Sequence, residues 1–530
     1  MTKVPGPVQR FCLAAATAAV AAAASIGVKA QPKDARILYE RGLTALHLFE
    51  YEDANDAFVR AQRADPGLAL AYWGEAMTYD QTLWRKEDVA AARQALARLA
   101  PTPAARVEKG AAGSEKGLIA AADLLFGEGD ATTRRRRYAD AMGRVHAADP
   151  ANPDVAALYA LALLGTMSRS LIGHDDMHEG RTQGLAGSDV QARVSSILGA
   201  VLKSHPEHPG ALHYLIHNDD DPEHARLALD AARTLTRIAP DSSHARHMPS
   251  HVFLQLGMWR DAEAADRSAF AASQAWVTRR NLGPAVRNYH ALSWLQYALL
   301  QRGRYRDAQA TLGELEPVVK STGQVTLLSD LASMKARFVI ETRRWQLMAG
   351  ESNFANVNDL FAIGMSAART AQLNTADRVR QTLAAKATSE QEGDLRPAIA
   401  IMEREVAALI ELSAGRRDQA VTILRAAADA EMKLPPPLGL PEPLKPAPEL
   451  LGEVLVELGR AREAVEPFQQ TLRRHPNRSL SVLGLARAYA ASGQTEEART
   501  RFRALLANYD DADGDVAEGI RDLGLGIRRD

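Results

Sequence analysis

Imidazole is the chemistry this chain concentrates. Eleven of its fourteen histidines (His174, His178, His205, His208, His213, His217, His224, His244, His247, His251 and His290) fall within residues 174–290. Even spacing would put roughly three there. Neutral imidazole is the commonest protein metal ligand and the commonest general base near neutral pH. The spacings are helical: His213 and His217 are four apart, as are His174 and His178, while His244, His247 and His251 stand at i, i+3 and i+7. Residues so spaced share one helix face. No HExxH occurs, so a metalloprotease reading lacks its glutamate.

The elements that must position these side chains read as helices throughout. Ala, Leu and Arg abound, aromatics are 5%, and no segment alternates like a strand, so the expected fold class is all-α. The chain has 530 residues, ample for several domains or one long repeat array. Net charge is −1, without the basic excess of a nucleic-acid binder, so no nucleic-acid partner is expected.

Residues 1–30 have the layout of a secretory signal peptide: Lys3 and Arg10, an apolar run from Phe11 to Val28, and Val28-Lys29-Ala30 as a small-x-small cleavage site. The rival is an uncleaved anchor, but half of the run is alanine, which lowers its hydrophobicity. Cleavage would remove Cys12, the only cysteine, so the expected mature chain is periplasmic or secreted, without disulfides, thiolate ligands or a stable membrane anchor.

Periodicity supplies the frame. Gly42, Ala54, Phe58, Ala61 and Pro66 set out a small, small, bulky, small, proline pattern. It recurs with Gly459 at a turn, then Ala464, Phe468 and Pro476, and again with Gly493, Ala498 and Phe502. Degenerate copies follow Gly257, Gly303 and Gly415. Small residues let antiparallel helices approach, a bulky one fills the gap between hairpins, and proline ends the second helix. In these residues the chain resembles the tetratricopeptide repeat (TPR) superfamily, which implies an α-solenoid of helix hairpins. The reading by segment is a signal peptide (1–30), N-terminal hairpins (31–100), a divergent helical segment (101–200), histidine-rich hairpins (201–315), further helical repeats (316–433), a proline-rich crossover (434–448) and a C-terminal repeat pair (449–530). The crossover holds seven prolines between Leu434 and Pro448 and cannot be packed helix. The run Arg134 to Arg137 is expected to form a solvated helix face.

In TPR arrays the first helix of each hairpin lines the concave surface. That frame puts a first helix at about 208–218 with His213 and His217, the next from about Ser243 with His244, His247 and His251, and a third from about Asn288 with His290. Pro249 must kink or restart the middle one. Asp219 and Asp220, with Asp221, follow His217 and could ligate a metal or orient imidazole. Asp221-Pro222-Glu223-His224 also reads as the start of a second helix. His205, His208, His224, His47, His146 and His475 read better as structural, whereas His174 and His178 could serve either way.

Three longer blocks, Tyr51 to Trp84, His208 to Ala225 and His244 to Trp259, resemble a bacterial group of exported TPR proteins over residues 36–320. The resemblance implies fold, export and the unity of the histidine blocks, and names no reaction. The functional expectation is a TPR scaffold taking a peptide or protein partner in its groove. Within it, His213, His217, His247 and His251, with His244, Asp219, Asp220 and His290, would form a metal site. Nitrogen and oxygen ligands without thiolate suit Zn²⁺ or copper, with iron a poorer fit. Hydrolysis or oxidation at that metal is the alternative, and a metal-free His–Asp acid–base enzyme lacks any nucleophile signature.

Overall fold

The computed structural model describes residues 32–167, 189–239, 241–435 and 437–521. The expected signal peptide, His174 and His178 lie outside the described residues. The described chain is a succession of antiparallel helices. The first are α1 (Pro32–His47), α2 (Tyr51–Ala64), α3 (Ala69–Met77), α4 (Val89–Leu99), α5 (Pro103–Lys109), α6 (Ser114–Leu125), α7 (Ala131–Ala148) and α8 (Pro153–Gly165). The histidine-rich region holds α9 (Asp189–Ser204), α10 (Pro209–Asn218), α11 (Leu229–Ile238), α12 (Ser243–Gln255), α13 (Trp259–Arg279), α14 (Tyr289–Gln301) and α15 (Tyr305–Thr322). Then come α16 (Val325–Thr342), α17 (Val357–Arg369), α18 (Leu373–Thr388), α19 (Arg396–Ser413) and α20 (Arg417–Glu431). After the proline-rich stretch follow α21 (Ala447–Glu457), α22 (Ala461–Arg474), α23 (Ser479–Ala491), α24 (Thr495–Asn508) and α25 (Gly514–Arg521). The one β feature among the described residues is a ribbon between α3 and α4, β1 (Asp80–Gln81) antiparallel to β2 (Lys86–Glu87), which carries Trp84 at its tip.

The repeat pattern works as its residue sizes require. Phe58 on α2 is fully buried against Gly42 of α1 and Gly74 of α3, where an added Cβ would lie 2.8 Å and 2.4 Å from its ring. Phe468 on α22 does the same between Gly452 and Gly484, at 2.8 Å and 2.2 Å. Any side chain at these glycines would push the hairpins apart. Gly452 is therefore the counterpart of Gly42, while Gly459 is a turn residue with φ +73°. Seven residues beyond Gly42, where Gly459 stands relative to Gly452, the first repeat has Phe49 at φ +59°. A bulky side chain in the left-handed region costs about 1–2 kcal/mol.

The array also turns back on itself. Trp259 Nε1 donates to the Asn477 carbonyl at 2.8 Å, Asn477 Nδ2 donates to the Gly257 carbonyl at 2.9 Å, and Gln301 Oε1 accepts from the Ser479 backbone at 2.8 Å. Gly257 needs to be glycine twice over: its φ is +65°, and a Cβ would lie 2.4 Å from the Pro476 carbonyl oxygen. Arg302 reinforces the seam with Asp510 at 3.0 Å. The proline-rich stretch packs against α12 and α14. Gln255 Nε2 donates to the Pro437 carbonyl at 3.1 Å, Gly439 lies against Trp294, and Leu440 packs with Leu254, Trp259, Trp294 and Tyr297.

Two local expectations are corrected. Arg134 and Arg135 are buried rather than solvated: Arg135 pairs with Asp80 and Arg134 with Glu87, bracing the ribbon to α7. Residues 221–227 form turns, and α11 begins only at Leu229. The Asp221 side chain takes the Glu223 and His224 amides, at 2.9 Å and 3.0 Å, so its aspartate caps a turn instead of starting a helix.

Candidate metal centres

The structure gathers six of the histidines into two sets of three. The first is His213 and His217 from α10 with His244 from α12; the second is His247 and His251 from α12 with His290 from α14. Within each set one ring nitrogen per residue lies within 4.8 Å of the others. Both sets are held by helix starts that the sequence specifies. His208 Nδ1 accepts from the Ala211 amide at 3.1 Å with Pro209 in the first turn, Ser242 Oγ accepts from Ala245 at 3.0 Å, and Asn288 Oδ1 accepts from Ala291 at 2.9 Å. Helix α12 runs through Pro249 without the restart that the sequence allowed, so His244, His247 and His251 ride on one continuous element.

In the first triad His213 is fully buried and its Nδ1 donates to the His47 carbonyl at 2.7 Å. A carbonyl only accepts, so Nδ1 carries the hydrogen and Nε2 presents a lone pair. That lone pair faces His217 Nε2 at 3.1 Å. Burial holds His213 down at about 4, and burial together with the neighbouring imidazoles lowers His244 well below its ordinary value. His244 Nε2 is buried with no hydrogen-bond partner among the described residues. Aromatic rings close the triad: Phe49 meets His213 edge-on at 4.5 Å between centroids, and Trp84 meets His244 at 5.2 Å.

In the second triad His247 Nδ1 lies 2.6 Å from Asp266 Oδ1, and His251 Nδ1 lies 2.7 Å from Asp220 Oδ2. The two Nε2 atoms face each other at 3.0 Å. Burial raises the Asp266 carboxyl well above the carboxylate range and lowers His247. A hydrogen-bonded relay therefore exists without a cation: Asp266 O–H donates to His247 Nδ1, His247 Nε2–H to His251 Nε2, and His251 Nδ1–H to Asp220. Trp294 stacks on His251 at 4.1 Å.

These donor sets fit a transition metal. One proton can join two facing nitrogens but not three converging ones, whereas a cation accepts all three. Nitrogens about 2.0–2.1 Å from a tetrahedral ion stand about 3.3 Å apart, close to the 3.0 Å and 3.1 Å seen. Carboxylates or carbonyls on the outer nitrogens are the usual way metal-bound imidazoles are oriented.

The expected residues do not all converge on one point. His213 and His217 belong to one set and His247 and His251 to the other. Asp220 reaches a histidine rather than either nitrogen cluster. Asp219 belongs to neither set: its Oδ1 accepts from Asn218 Nδ2 at 2.8 Å and Ser195 Oγ at 3.1 Å. Asp266 went unnoticed in the sequence because it sits on α13, among ordinary charged residues, nineteen positions from its partner. Phe49 and Trp84 had a signal, a bulky residue in a turn-glycine position and a tryptophan closing the block Tyr51 to Trp84.

Among the histidines read as structural, His47, Asp154 and His208 form a third group. His47 Nε2 lies 3.0 Å and His208 Nε2 3.1 Å from Asp154 Oδ1, and Tyr214 Oη lies 3.0 Å from His47 Nδ1. His224 pairs with Asp221 at 2.8 Å, and His205 is exposed beside Ser204.

Both triads open on one cavity of about 350 Å³, whose lining includes His244 from the first and His247 and His290 from the second. Glu50 lines it too; burial raises its carboxyl to about 7, against a hydrogen bond from Ser242.

Residues 455–519 match the family model for the tetratricopeptide repeat. That segment is a tetratricopeptide-repeat segment, and the described chain repeats the same helix-hairpin fold. Solved structures that it is similar to include three of low identity. One is the APC/C hetero-tetramer Cut9-Hcn1 (12% identity, 92% of this chain and 76% of that one, TM-score 0.30). Another is a TPR protein from Parabacteroides merdae (14% identity, 53% and 98%, TM-score 0.30), and a third the P58(IPK) TPR domain (12% identity, 87% and 99%, TM-score 0.24). At those scores the family match and the Phe58 and Phe468 packing carry the assignment to the TPR class. No curated protein sequence matches the chain. No helix among the described residues is long and apolar enough to cross a membrane.

Proposed function

We propose that this TPR protein is an exported scaffold for a peptide or protein partner, with two transition-metal ions, Zn²⁺ or copper, held in its inner wall by His213, His217 and His244 and by His247, His251 and His290. The scaffold half of this reading rests on the repeat class. The metal half is supported above all by one observation, the twofold convergence of three imidazoles. Export is supported by the leader pattern of residues 1–30.

Elemental analysis of untagged protein tests the metal half. The expected result is two ions per chain after dialysis against micromolar Zn²⁺ or Cu²⁺. His213→Ala/His217→Ala should remove one and His247→Ala/His251→Ala the other, with the fold retained. Protein that takes up no ion, although folded, would sink it.

A second reading, metal-dependent hydrolysis or oxidation, is favoured by the cavity. Three nitrogens would leave a fourth position for water or substrate, and His244, His247 and His290 stand on the wall of the cavity.

A further inference from the structure

The cavity has a composition that a passive opening would not need. His244, His247 and His290 bring both triads to it, so one small molecule inside reaches either. Phe49, Trp84 and Trp276 supply aromatic surface, with Phe49 and Trp84 fixed edge-to-face at 5.1 Å and the Arg280 guanidinium 5.7 Å from the Trp276 ring. Glu50 and Glu52 also line it, with the ammonium of Lys86. Its volume of about 350 Å³ suits a single substituted ring and not an extended peptide.

We infer that this cavity binds a small, flat aromatic alcohol of the phenol or catechol class, its ring against Trp84, Phe49 and Trp276 and its oxygen reaching an ion held by the imidazoles. The aromatic walls take the π faces, and a metal ion with three nitrogen ligands accepts an oxygen as its fourth. This inference rests on the metal reading above, and the test separates the two.

Metal content is measured first, on protein loaded with Zn²⁺, which binds without redox turnover. Catechol is then titrated by calorimetry, with tryptophan fluorescence as a second readout and toluene as a ring without oxygen. The expected result is one catechol per chain, bound at least tenfold more tightly than toluene. Chelated protein should bind catechol at least tenfold more weakly. Trp276→Ala, with zinc content and melting temperature unchanged, should lose about tenfold in catechol affinity. Zinc uptake with no preference for catechol over toluene, or equal binding by chelated protein, overturns the inference and leaves the metal reading standing. A Trp276→Ala protein that binds as tightly as the parent overturns the placement in this cavity. No zinc uptake at all overturns both.

Discussion

Two kinds of histidine cluster stand side by side in this protein. In the group of His47, His208 and Asp154, protons satisfy every ring nitrogen: both Nε2–H groups donate to one carboxylate, while the Nδ1 atoms accept from Tyr214 and from the Ala211 amide. In the two triads the outer nitrogens of His213, His247 and His251 are anchored, and one nitrogen from each of the six rings converges on its set. His47 and His208 are as buried as His213, His217, His247 and His251, so histidine burial alone does not separate a brace from a ligand set. What separates them is that the brace points its two Nε2 atoms at a carboxylate, whereas each triad turns three ring nitrogens towards one another.

The largest effect should come from breaking the brace. His47→Ala removes the buried Tyr214 hydroxyl's partner and one of the two imidazole hydrogen bonds to Asp154, and should destabilise by about 3 kcal/mol while leaving metal content at two per chain. Thermal melting with elemental analysis checks both halves; a lost ion would erase the distinction drawn here.

Acid should act on the chelated triads next. His213 is held at about 4 by burial, against about 6.5 in the unfolded chain. Above pH 6.5 both states are neutral and stability is whole. As pH falls from 6.5 towards 4 the unfolded chain takes a proton that the folded one refuses, so up to ~3 kcal/mol is lost. Urea unfolding of chelated protein at pH 7 and pH 5 measures this, and His213→Gln should flatten the slope. An unchanged slope would mean the ring is not excluded from charging.

Zinc at a hundredfold excess over its dissociation constant should raise stability by ~2.7 kcal/mol per site, seen as a higher melting temperature. His247→Ala/His251→Ala should lose about half of that rise, whereas His208→Asn, which preserves the helix cap, should lose none. The smallest expected effect concerns Phe49. Phe49→Gly should be about 1 kcal/mol more stable than Phe49→Ala, because φ +59° penalises any Cβ. Equal melting temperatures for the two would show that the turn relaxes.

Much of this frame is legible in the sequence because it depends on residue size at fixed intervals. Phe58 and Phe468 announce their hairpins, and the first helices at 208–218, Ser243 and Asn288 follow from counting back along the repeat. The division into two triads is not legible. It depends on how far α10, α12 and α14 are rotated about their axes, and a difference of one residue in facing decides whether His244 joins His213 or His247. Asp266 is invisible for a different reason: it lies on a second helix, whose charged residues ordinarily face solvent. The burial of Arg134 and Arg135 has the same origin, since only the folded ribbon brings Asp80 and Glu87 to them.

The seam between Trp259 and Asn477 alters the mechanics of the molecule. An open solenoid behaves as a spring, melting and stretching from its ends, repeat by repeat. Clasping the last hairpins onto the middle of the array converts the spring into a buckle. Force or heat applied at the C-terminus is delivered through Gly257 and Trp259 to the end of the helix that carries His244, His247 and His251, so this protein should release any bound ions and lose its shape in a single event.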